Sequence, residues 1–300
     1  MTLTPPPLSL YVHVPWCVRK CPYCDFNSHE FKSGKSRGEL PFAAYVDALL
    51  ADLDHDLPLV WGRTVQTVFF GGGTPSLMPP EFIDRFLQGA SARLRFAPGC
   101  EITLETNPGT AEHGRFEGYR DAGINRLSFG IQSFDDGCLE RLGRIHDSRE
   151  AEAAVKLAQD AGFDNLNYWT YADYRGIGAG AHGKITLGHD QSIRRRWKQK
   201  HPTRYLASAG KEEAIGGDDV ITPDRRPFEF MLNALRLVDG FGIAMFEART
   251  GVPVAAIEPQ LQIAVARGWL ERDGGHLRPT ELGRRFTNDV VALFLDPLPL

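Results

Sequence analysis

The 300-residue sequence has few of the features that mark exported, membrane-spanning or strongly charged proteins. Its first eight residues contain three prolines but neither a basic start nor an apolar run, and no later segment approaches the length of a membrane span. The formal net charge is only -4, which gives no overall attraction to nucleic acid or to an anionic membrane. These absences predict a cytoplasmic protein with no nucleic-acid partner.

Cysteine is also scarce, and its distribution is uneven. Three of the five cysteines, Cys17, Cys21 and Cys24, fall within eight residues, whereas Cys100 and Cys138 are isolated. An odd number of cysteines crowded in this way does not match a secreted disulfide framework. Because thiolates are soft ligands that suit iron–sulfur clusters and zinc, the crowded three predict a metal centre in a reducing compartment. The isolated two are assigned no role.

The cysteines alone leave the identity of the metal open. Three thiolates leave one position of a four-ligand centre without a cysteine. Either His13 or His29 would complete a Cys3His zinc site, whereas an iron–sulfur cluster would take its fourth ligand from elsewhere. A structural zinc ion stabilises a fold that has little core of its own, and a loop beside a sheet does not need that support, which favours the cluster.

Hydrophobic periodicity predicts that a strand followed by a helix occurs four times in the first part of the chain. The predicted pairs are Leu8–Val14 with Pro41–Leu57, Thr67–Phe70 with Pro80–Leu94, Glu101–Thr106 with Ala111–Ala122, and Asn125–Gly130 with Asp135–Leu142. A further helix, Ser148–Ala161, leads to a candidate fifth strand at Phe163–Asn167. Repeated βα units indicate a parallel sheet and hence an α/β fold.

The second half of the chain has a different pattern. Residues 188–225 are polar and lack periodicity, which predicts an irregular linker between a first domain at 1–187 and a last domain at 226–300. In the last domain, amphipathic helices precede a hairpin at the Gly274-Gly275 turn, an order that indicates a small helical, winged-helix-like domain. Because it has no concentrated basic helix, a packing or interaction role is favoured over DNA contact.

The segment around the crowded cysteines is specific. Tyr11–Phe26 reads YVHVPWCVRKCPYCDF and resembles the motif of the HemN/HemW group of radical-SAM proteins. By that resemblance each cysteine binds one iron of a [4Fe-4S] cluster, and the amino and carboxylate groups of S-adenosylmethionine (SAM) chelate the fourth iron. The resemblance also implies a partial (β/α) TIM-like barrel and a cofactor that can release a 5'-deoxyadenosyl radical, with the protein positioning it and excluding water.

Other motif residues follow the predicted strands, at the edge where parallel α/β sheets place their sites. A Gly71–Pro75 turn follows the second strand, Glu105 ends the third and Gln132 follows the fourth. The SAM contacts that the resemblance implies are Tyr11, Gly72, Gly73, Thr74, Glu105, Gln132 and Arg144. Each taken singly also suits a turn, a cap, a core or a surface residue, and it is their convergence that favours the cofactor. No residue is assigned a catalytic role.

Two branches of the group differ in function: oxygen-independent coproporphyrinogen III oxidases and heme chaperones. The oxidase motif has the pattern Cys-x3-Cys-x2-Cys-x-Cys, and this chain has Phe26 at the position of its last cysteine. Phe26 therefore favours a heme chaperone and leaves the oxidase as the alternative. The resemblance then implies heme as the cargo and a heme-acceptor protein as the partner, with the heme ligand, the acceptor and the oligomeric state left open.

Two patterns in the second half each have a functional and a plain explanation. Gly178–Gly183 matches G-x-G-x-x-G, but no amphipathic helix and no acidic residue about 20 positions on follow it, so a dinucleotide site is disfavoured. The basic run Arg194–His201 would suit phosphate, a membrane surface or heme propionates, although charge runs are more often solvated. A peripheral membrane contact stays open on this basis.

One stretch departs from the pattern of the family. After Asn167 the family continues through Leu-Asp-Leu-Met and a Gly-Leu-Pro turn, whereas this chain goes directly to Tyr168. Asp164 stands where the family's heme-associated motif has histidine. Residues 8–187 supply 180 positions, fewer than the roughly 200 to 250 of a complete (β/α)8 barrel. The sequence therefore predicts a truncated barrel that lacks at least one or two units of about 30 residues near 167/168.

Overall fold

An eight-stranded sheet organises the chain as far as Val220. The computed structural model describes residues 2–31, 39–108, 115–144, 146–160 and 171–295. In chain order the strands are β1 Leu8–Val14, β2 Trp16–Cys17, β3 His29–Glu30, β4 Thr64–Gly72, β5 Arg95–Thr106, β6 Arg126–Phe129, β7 Asp173–Ile177, β8 His182–Leu187, β9 Ser192–Lys198, β10 Ile215–Val220, β11 Phe241–Gly242, β12 Leu270–Asp273 and β13 His276–Pro279.

The order of the strands across the large sheet is β10-β9-β8-β7-β1-β4-β5-β6. β1 lies inside the sheet and pairs in parallel with β4 on one side and with β7 on the other. β5 and β6 continue the parallel part, whereas β8, β9 and β10 extend the sheet in the antiparallel direction. A parallel sheet with helical crossovers confirms the predicted α/β class.

The parallel part of the sheet is open. Within the described residues, no strand pairs with the outer side of β6, which is therefore an edge. This open edge confirms a partial barrel instead of a closed one. The candidate strand at Phe163–Asn167 and the junction at 167/168 lie outside the described residues.

Helices cover the sheet and form most of the C-terminal part. Their bounds are α1 Phe42–Val60, α2 Pro80–Ser91, α3 Phe116–Asp121, α4 Asp136–Arg141, α5 Ser148–Asp160, α6 Pro202–Ser208, α7 Arg226–Ala234, α8 Ile243–Thr250, α9 Glu258–Ala266, α10 Glu281–Arg285 and α11 Thr287–Ala292. Short 3-10 helices occur at Pro75–Leu77, Glu212–Ala214 and Val254–Ile257.

Alternation along β1 separates the two faces of the sheet. Leu10 and Val12 belong to an apolar core that includes Leu49 of α1, and all three are buried. The intervening residues Tyr11 and His13 face a cavity on the other side. The helix-covered face therefore supplies the apolar packing, and the opposite face is left for polar groups.

Residues 188–225 differ from the irregular linker that the sequence predicts. They contain β9, α6 and β10 and so belong to the large sheet. Their strands are hidden in the sequence because one face of β9 is charged: Arg194, Arg196 and Lys198 alternate along it and pair with carboxylates. A strand of this kind has no hydrophobic alternation that a sequence pattern would detect.

The same pairing changes the interpretation of the basic run at Arg194–His201. Arg195 donates to Glu229 of α7 at 2.5 Å, and Lys198 is only 1% exposed. The four cations on β9 thus pair with carboxylates of neighbouring elements, whereas Lys200, after the strand, is exposed. Most of the run is therefore not a free basic patch. Across the described part of the chain, no helix combines the length and apolarity needed to span a bilayer.

Buried charges fix α1 against the later strands. Asp52 and Asp56 continue the buried stripe of α1 at helical spacing although both are ionisable. Lys198 of β9 donates to Asp56 at 2.7 Å and also to Asp52, and Arg175 of β7 pairs with Asp56. Tyr205 of α6 donates its hydroxyl hydrogen to Asp52 at 2.8 Å. Removal of one partner would leave a buried charge without compensation.

A second apolar core lies in the C-terminal part. Phe230 packs edge-on against Phe241 and Phe246, with ring centroids 5.0 and 5.2 Å apart, and the same cluster extends to Phe294. β12 and β13 form the predicted hairpin, and β11 joins them in a three-stranded sheet. Helices followed by this hairpin confirm the predicted small C-terminal domain.

The buried charges on α1 generate a stability prediction. Asp56→Ala should lower the free energy of unfolding by about 3 to 5 kcal/mol, because it leaves Arg175 and Lys198 buried with one carboxylate fewer. Asp54→Ala on the same helix is the matched control: Asp54 is half-exposed and pairs with Arg93 at 2.6 Å. That change should cost about 0 to 1 kcal/mol. Urea denaturation measures both, and equal losses would contradict a specific role for the buried charges.

Candidate functional site

The cysteine-bearing loop leaves β1 and returns to lie beside its own start. His29 donates its backbone N–H to Pro15 at 2.7 Å, and Phe31 donates to Cys17 at 2.8 Å, which makes the short parallel pair of β2 and β3. Cys17 lies in this pair, and Cys21 and Cys24 lie in the loop between the paired strands. The sequence therefore predicts the position of the cysteines correctly, directly after the first strand.

The glycine turn after β4 passes unusually close to that loop. Gly73 donates to Val14 and Thr74 donates to Trp16, both at 2.8 Å. A Cβ atom on residue 73 would lie 2.5 Å from the Trp16 carbonyl oxygen, a distance that only glycine avoids. The third glycine of the turn is thus required for the approach of two backbones, as its position after a strand suggested.

A cavity of about 260 Å³ lies where the cysteine loop meets the ends of the parallel strands. Nine of the ten site residues predicted from the sequence line it: Cys17, Cys21, Cys24, Gly72, Gly73, Thr74, Glu105, Gln132 and Arg144. They come from four separate stretches of the chain, which the parallel sheet brings to one edge. The tenth residue, Tyr11, lies elsewhere.

Glu105 places a carboxylate on the wall of this cavity. It ends β5 next to β4 and accepts the backbone N–H of Gly72 at 3.1 Å. Burial raises the pKa of Glu105, and the hydrogen bond from Gly72 acts in the opposite direction. A carboxylate has about four acceptor positions, so Glu105 can accept further hydrogen bonds from a cationic donor in the cavity.

Arg144 supplies the positive charge of the cavity. Its guanidinium donates to Asn107 Oδ1 at 2.6 Å and to the carbonyl oxygen of Gly130. It also reaches Cys21 Sγ at 3.4 Å and the Tyr23 hydroxyl at 3.3 Å. Its Nε is buried and has no hydrogen-bond partner among the described residues. A fixed cation beside a cysteine sulfur suits an anionic group placed between them.

The thiols differ in their surroundings. Burial raises the pKa of Cys17, and hydrogen bonds with Thr74 and Ser28 act in the opposite direction. Cys24 Sγ lies 3.7 Å from the Ser28 hydroxyl. Across the described ranges, no three His, Cys, Asp or Glu side chains are close enough to hold a single metal ion.

Two of the predicted residues, Gln132 and Tyr11, differ from the rest in backbone conformation or in position. Gln132 lines the rim of the cavity with a backbone φ of 72°, in the left-handed region that non-glycine residues rarely adopt. Tyr11 does not reach the cysteines; its hydroxyl lies 2.9 Å from His13 Nδ1, on the wall of a neighbouring cavity. The sequence predicts Tyr11 as a SAM contact, but Tyr11 lines the neighbouring cavity and not the one that the other nine residues share.

The neighbouring cavity is larger, about 520 Å³, and the sequence did not predict it. Its lining residues are Tyr11, His13, Lys20, Asp25, Phe26, Asn27, Ser28, His29, Tyr174, Gly180, His182 and Lys200. Phe26 also lines the smaller cavity, so the two cavities meet at this side chain. The signal in the sequence is that three histidines and two lysines lie in or beside the motifs that line this cavity.

The Gly178–Gly183 motif lies next to this larger cavity and does not open a helix. Asn27 of the cysteine loop donates to Ala179 and to Lys200, both at 2.9 Å. A Cβ atom on Gly180 would lie 2.2 Å from Asn27 Nδ2, and the φ of Gly180 is 76°. The glycines therefore let the later strands contact the cysteine loop, and the disfavoured dinucleotide site receives no support from the structure.

Comparisons with known proteins agree with this architecture. Residues 11–172 match the Radical SAM superfamily, and residues 221–286 match the HemN C-terminal domain. A relative from Escherichia coli (strain K12), named heme chaperone HemW, is 36% identical over 97% of this chain and 98% of its own length. The chain belongs to the HemW family of radical-SAM proteins. The HemW relative from Haemophilus influenzae is 34% identical over the same shares of both chains.

The comparisons also bear on the length of this HemW-family chain. The alignment with the Escherichia coli relative runs over 387 positions, 87 more than the 300 residues of the chain, so at least 87 aligned positions have no residue here. This shortfall confirms the predicted truncation. Among solved structures, coproporphyrinogen III oxidase (HemN) from Escherichia coli matches with a TM-score of 0.74 at 18% identity, over 97% of this chain and 90% of that one. The match shows a shared fold.

Proposed function

We propose that this protein binds heme and passes it to an acceptor protein, and that it carries a [4Fe-4S] cluster with an exchangeable SAM. The observation that carries the proposal is the match, over 97% of the chain, to relatives named heme chaperone HemW. The convergence of nine motif residues on one cavity supports the cofactor part. By this proposal the protein works in the cytoplasm, and the acceptor is a protein of unknown identity.

The donor set suits a [4Fe-4S] cluster. Cys17, Cys21 and Cys24 would each bind a different iron, so their sulfurs need not converge on a single point. The sulfurs lie on the wall of the same cavity, so one cluster is within reach of all three. Iron would also hold the buried Cys17 as a thiolate, which offsets the raised pKa of that thiol.

The polar groups of the same cavity suit the amino-acid part of SAM. Glu105 has free acceptor capacity for an ammonium group, and Arg144 offers a buried Nε–H for a carboxylate. The Gly71–Pro75 turn brings backbone groups to the cavity wall without side chains in the way. When bound, the cluster and SAM supply one-electron chemistry; these residues bind and orient the cofactor.

Phe26 separates this proposal from the oxidase alternative. It is 64% exposed and lies between the two cavities, at the position where the oxidase motif has a further cysteine. An apolar ring at that point would pack against a porphyrin plane and would not ligate metal. The structural likeness to the oxidase extends to the fold alone and does not favour that activity.

The cluster assignment makes a direct prediction. Anaerobic reconstitution should load about four irons per chain and give thiolate-to-iron absorption, and Cys17→Ala, Cys21→Ala or Cys24→Ala should abolish the signal. Cys100→Ala and Cys138→Ala are the controls, because neither residue lines the cavity. Iron analysis and visible spectroscopy decide the matter; stoichiometric zinc without visible absorption would refute the cluster.

The proposed role of Glu105 predicts a specific loss of SAM affinity. Glu105→Gln should keep the cluster but weaken SAM binding by about tenfold to a hundredfold, since a charged hydrogen bond is worth about 1.5 to 3 kcal/mol. Glu101→Gln is a matched control on the same strand, where Glu101 pairs with Arg126 at 3.2 Å outside the cavity. Calorimetric titration of the reconstituted proteins measures both, and an unchanged affinity in the Glu105 variant would remove it from the site.

The chaperone assignment itself predicts heme binding without oxidase turnover. Titration with ferric heme should give a saturable Soret band, and bound heme should move to a heme-free acceptor such as apomyoglobin. With coproporphyrinogen III, SAM and a reductant, no protoporphyrinogen IX should form. Turnover with consumption of SAM would move the assignment to the oxidase. Absence of any heme binding would contradict the proposed chaperone function.

A further inference from the structure

The cavity of about 520 Å³ is not used by the cluster or by the predicted SAM contacts, apart from Tyr11. Its size lies in the range of roughly 300 to 1,000 Å³ that small-molecule sites occupy. We propose that this cavity holds the heme, with His182 as the axial ligand of the iron and Lys20 and Lys200 beside the propionates. This inference rests on the proposed function and assigns the cargo to a site built from this chain's own residues.

His182 is the histidine best placed to bind iron. It begins β8, it is exposed, and its ring stacks on Trp197 with centroids 6.0 Å apart and planes 21° from parallel. Burial of its ring, together with the charges of Arg195 and Lys200, lowers the pKa of His182. A neutral imidazole held in one orientation by an aromatic neighbour is the form that ligates iron.

The other two histidines of the cavity are less available. His13 uses both ring nitrogens, with the Tyr11 hydroxyl 2.9 Å from Nδ1 and the Asn27 carbonyl oxygen 2.9 Å from Nε2. His29 Nε2 is buried and has no hydrogen-bond partner among the described residues, and the ring packs edge-on against His201 with centroids 5.5 Å apart. Iron would have to displace the hydrogen bonds of His13, and in His29 it would have to reach a buried nitrogen. His182 is exposed and lines the cavity, so neither change is needed there.

The charges around the opening match a dicarboxylate. Lys20 and Lys200 are both exposed and line the cavity, and Asp25 is the acidic residue among the lining side chains. Lys20 Nζ lies 3.4 Å from the carbonyl oxygen of Ser28 and 3.5 Å from that of Phe26, which keeps the ammonium near the opening. Two cations at the rim suit the two propionates of heme, whose ring would lie deeper.

Aromatic side chains complete the site. Tyr11, Phe26 and Tyr174 line the cavity, and Phe26 is the most exposed of these apolar groups. A flat, apolar macrocycle would cover the ring of Phe26 and gain from its burial. Because Phe26 also lines the cofactor cavity, heme in this position would lie next to the cluster loop.

The test is ferric-heme titration of the whole protein under anaerobic conditions, followed by absorption and electron paramagnetic resonance spectra. His182→Ala should weaken heme binding by at least about tenfold and change the Soret band and the spin state. Added imidazole should restore the wild-type spectrum in His182→Gly. His189→Ala is the control, because His189 lies in the turn after β8 with a 77% exposed side chain.

A second pair of variants tests the propionate contacts separately. Lys20→Gln with Lys200→Gln should weaken heme binding by about tenfold with an unchanged ligand spectrum, because the iron still meets His182. His29→Ala should keep the wild-type spectrum. Circular dichroism melting of each variant identifies misfolding, and if His182→Ala misfolds, His182→Gln supplies the same comparison.

The outcomes separate this inference from the proposed function. If the wild-type protein does not bind heme, the chaperone proposal fails. If it binds heme and His182→Ala, His182→Gln and His182→Gly all keep the affinity and spectrum of the wild type, the assignment of His182 is wrong while the chaperone stands. Loss of the ligand spectrum in His29→Ala instead would also overturn it.

Discussion

The approach of the Gly73 turn to the Trp16 carbonyl is the contact on which the site depends. It joins the glycine turn after β4 to the cysteine loop through backbone hydrogen bonds of 2.8 Å. Any side chain at residue 73 would push the loop away from the ends of the strands. Glu105, on the next strand, accepts the N–H of Gly72 and lines the same cavity. One missing Cβ atom thus lets residues from distant stretches of the chain act together.

A second anchor holds the far side of the same loop. Asn27 donates to the carbonyl oxygen of Ala179, inside the later glycine motif, and to that of Lys200, after β9. The loop is therefore clamped between the early turn and the antiparallel strands, and Phe26 lies beside the second clamp with one cavity on either side. Because Phe26 lines both cavities, a ligand that moves this side chain in one cavity would change a wall of the other. This gives a physical route by which cluster and cofactor would influence a cargo bound nearby.

The sequence predicted the part of this structure that follows simple periodicity. The βα units and the position of the cysteines after the first strand follow from apolar spacing. The choice of the other site residues came from the resemblance to the HemN/HemW group, and nine of the ten site residues line one cavity. Prediction failed where burial is electrostatic. Asp52 and Asp56 of α1 and Lys198 of β9 are buried although their side chains are ionisable. Because β9 carries buried charge in place of apolar residues, the sequence predicts an irregular linker where β9 and β10 lie. The larger cavity was not predicted because its walls come from stretches far apart in the chain, which meet through the β1–β7 pairing and through the contacts of Asn27 with Ala179 and Lys200.

If the at least 87 positions missing relative to the Escherichia coli relative lie near 167/168, as the sequence predicts, the two cavities differ in how they lie with respect to that junction. No described residue that lines either cavity lies between 145 and 173, and the direct pairing of β1 with β7 joins the flanks of that interval. β6, whose end lines the cofactor cavity, is an edge within the described residues, whereas the larger cavity is backed by the antiparallel strands. An open edge exposes the polar contacts beside it to water, which weakens them. We therefore expect the shorter chain to weaken the cavity proposed for SAM more than the cavity proposed for heme.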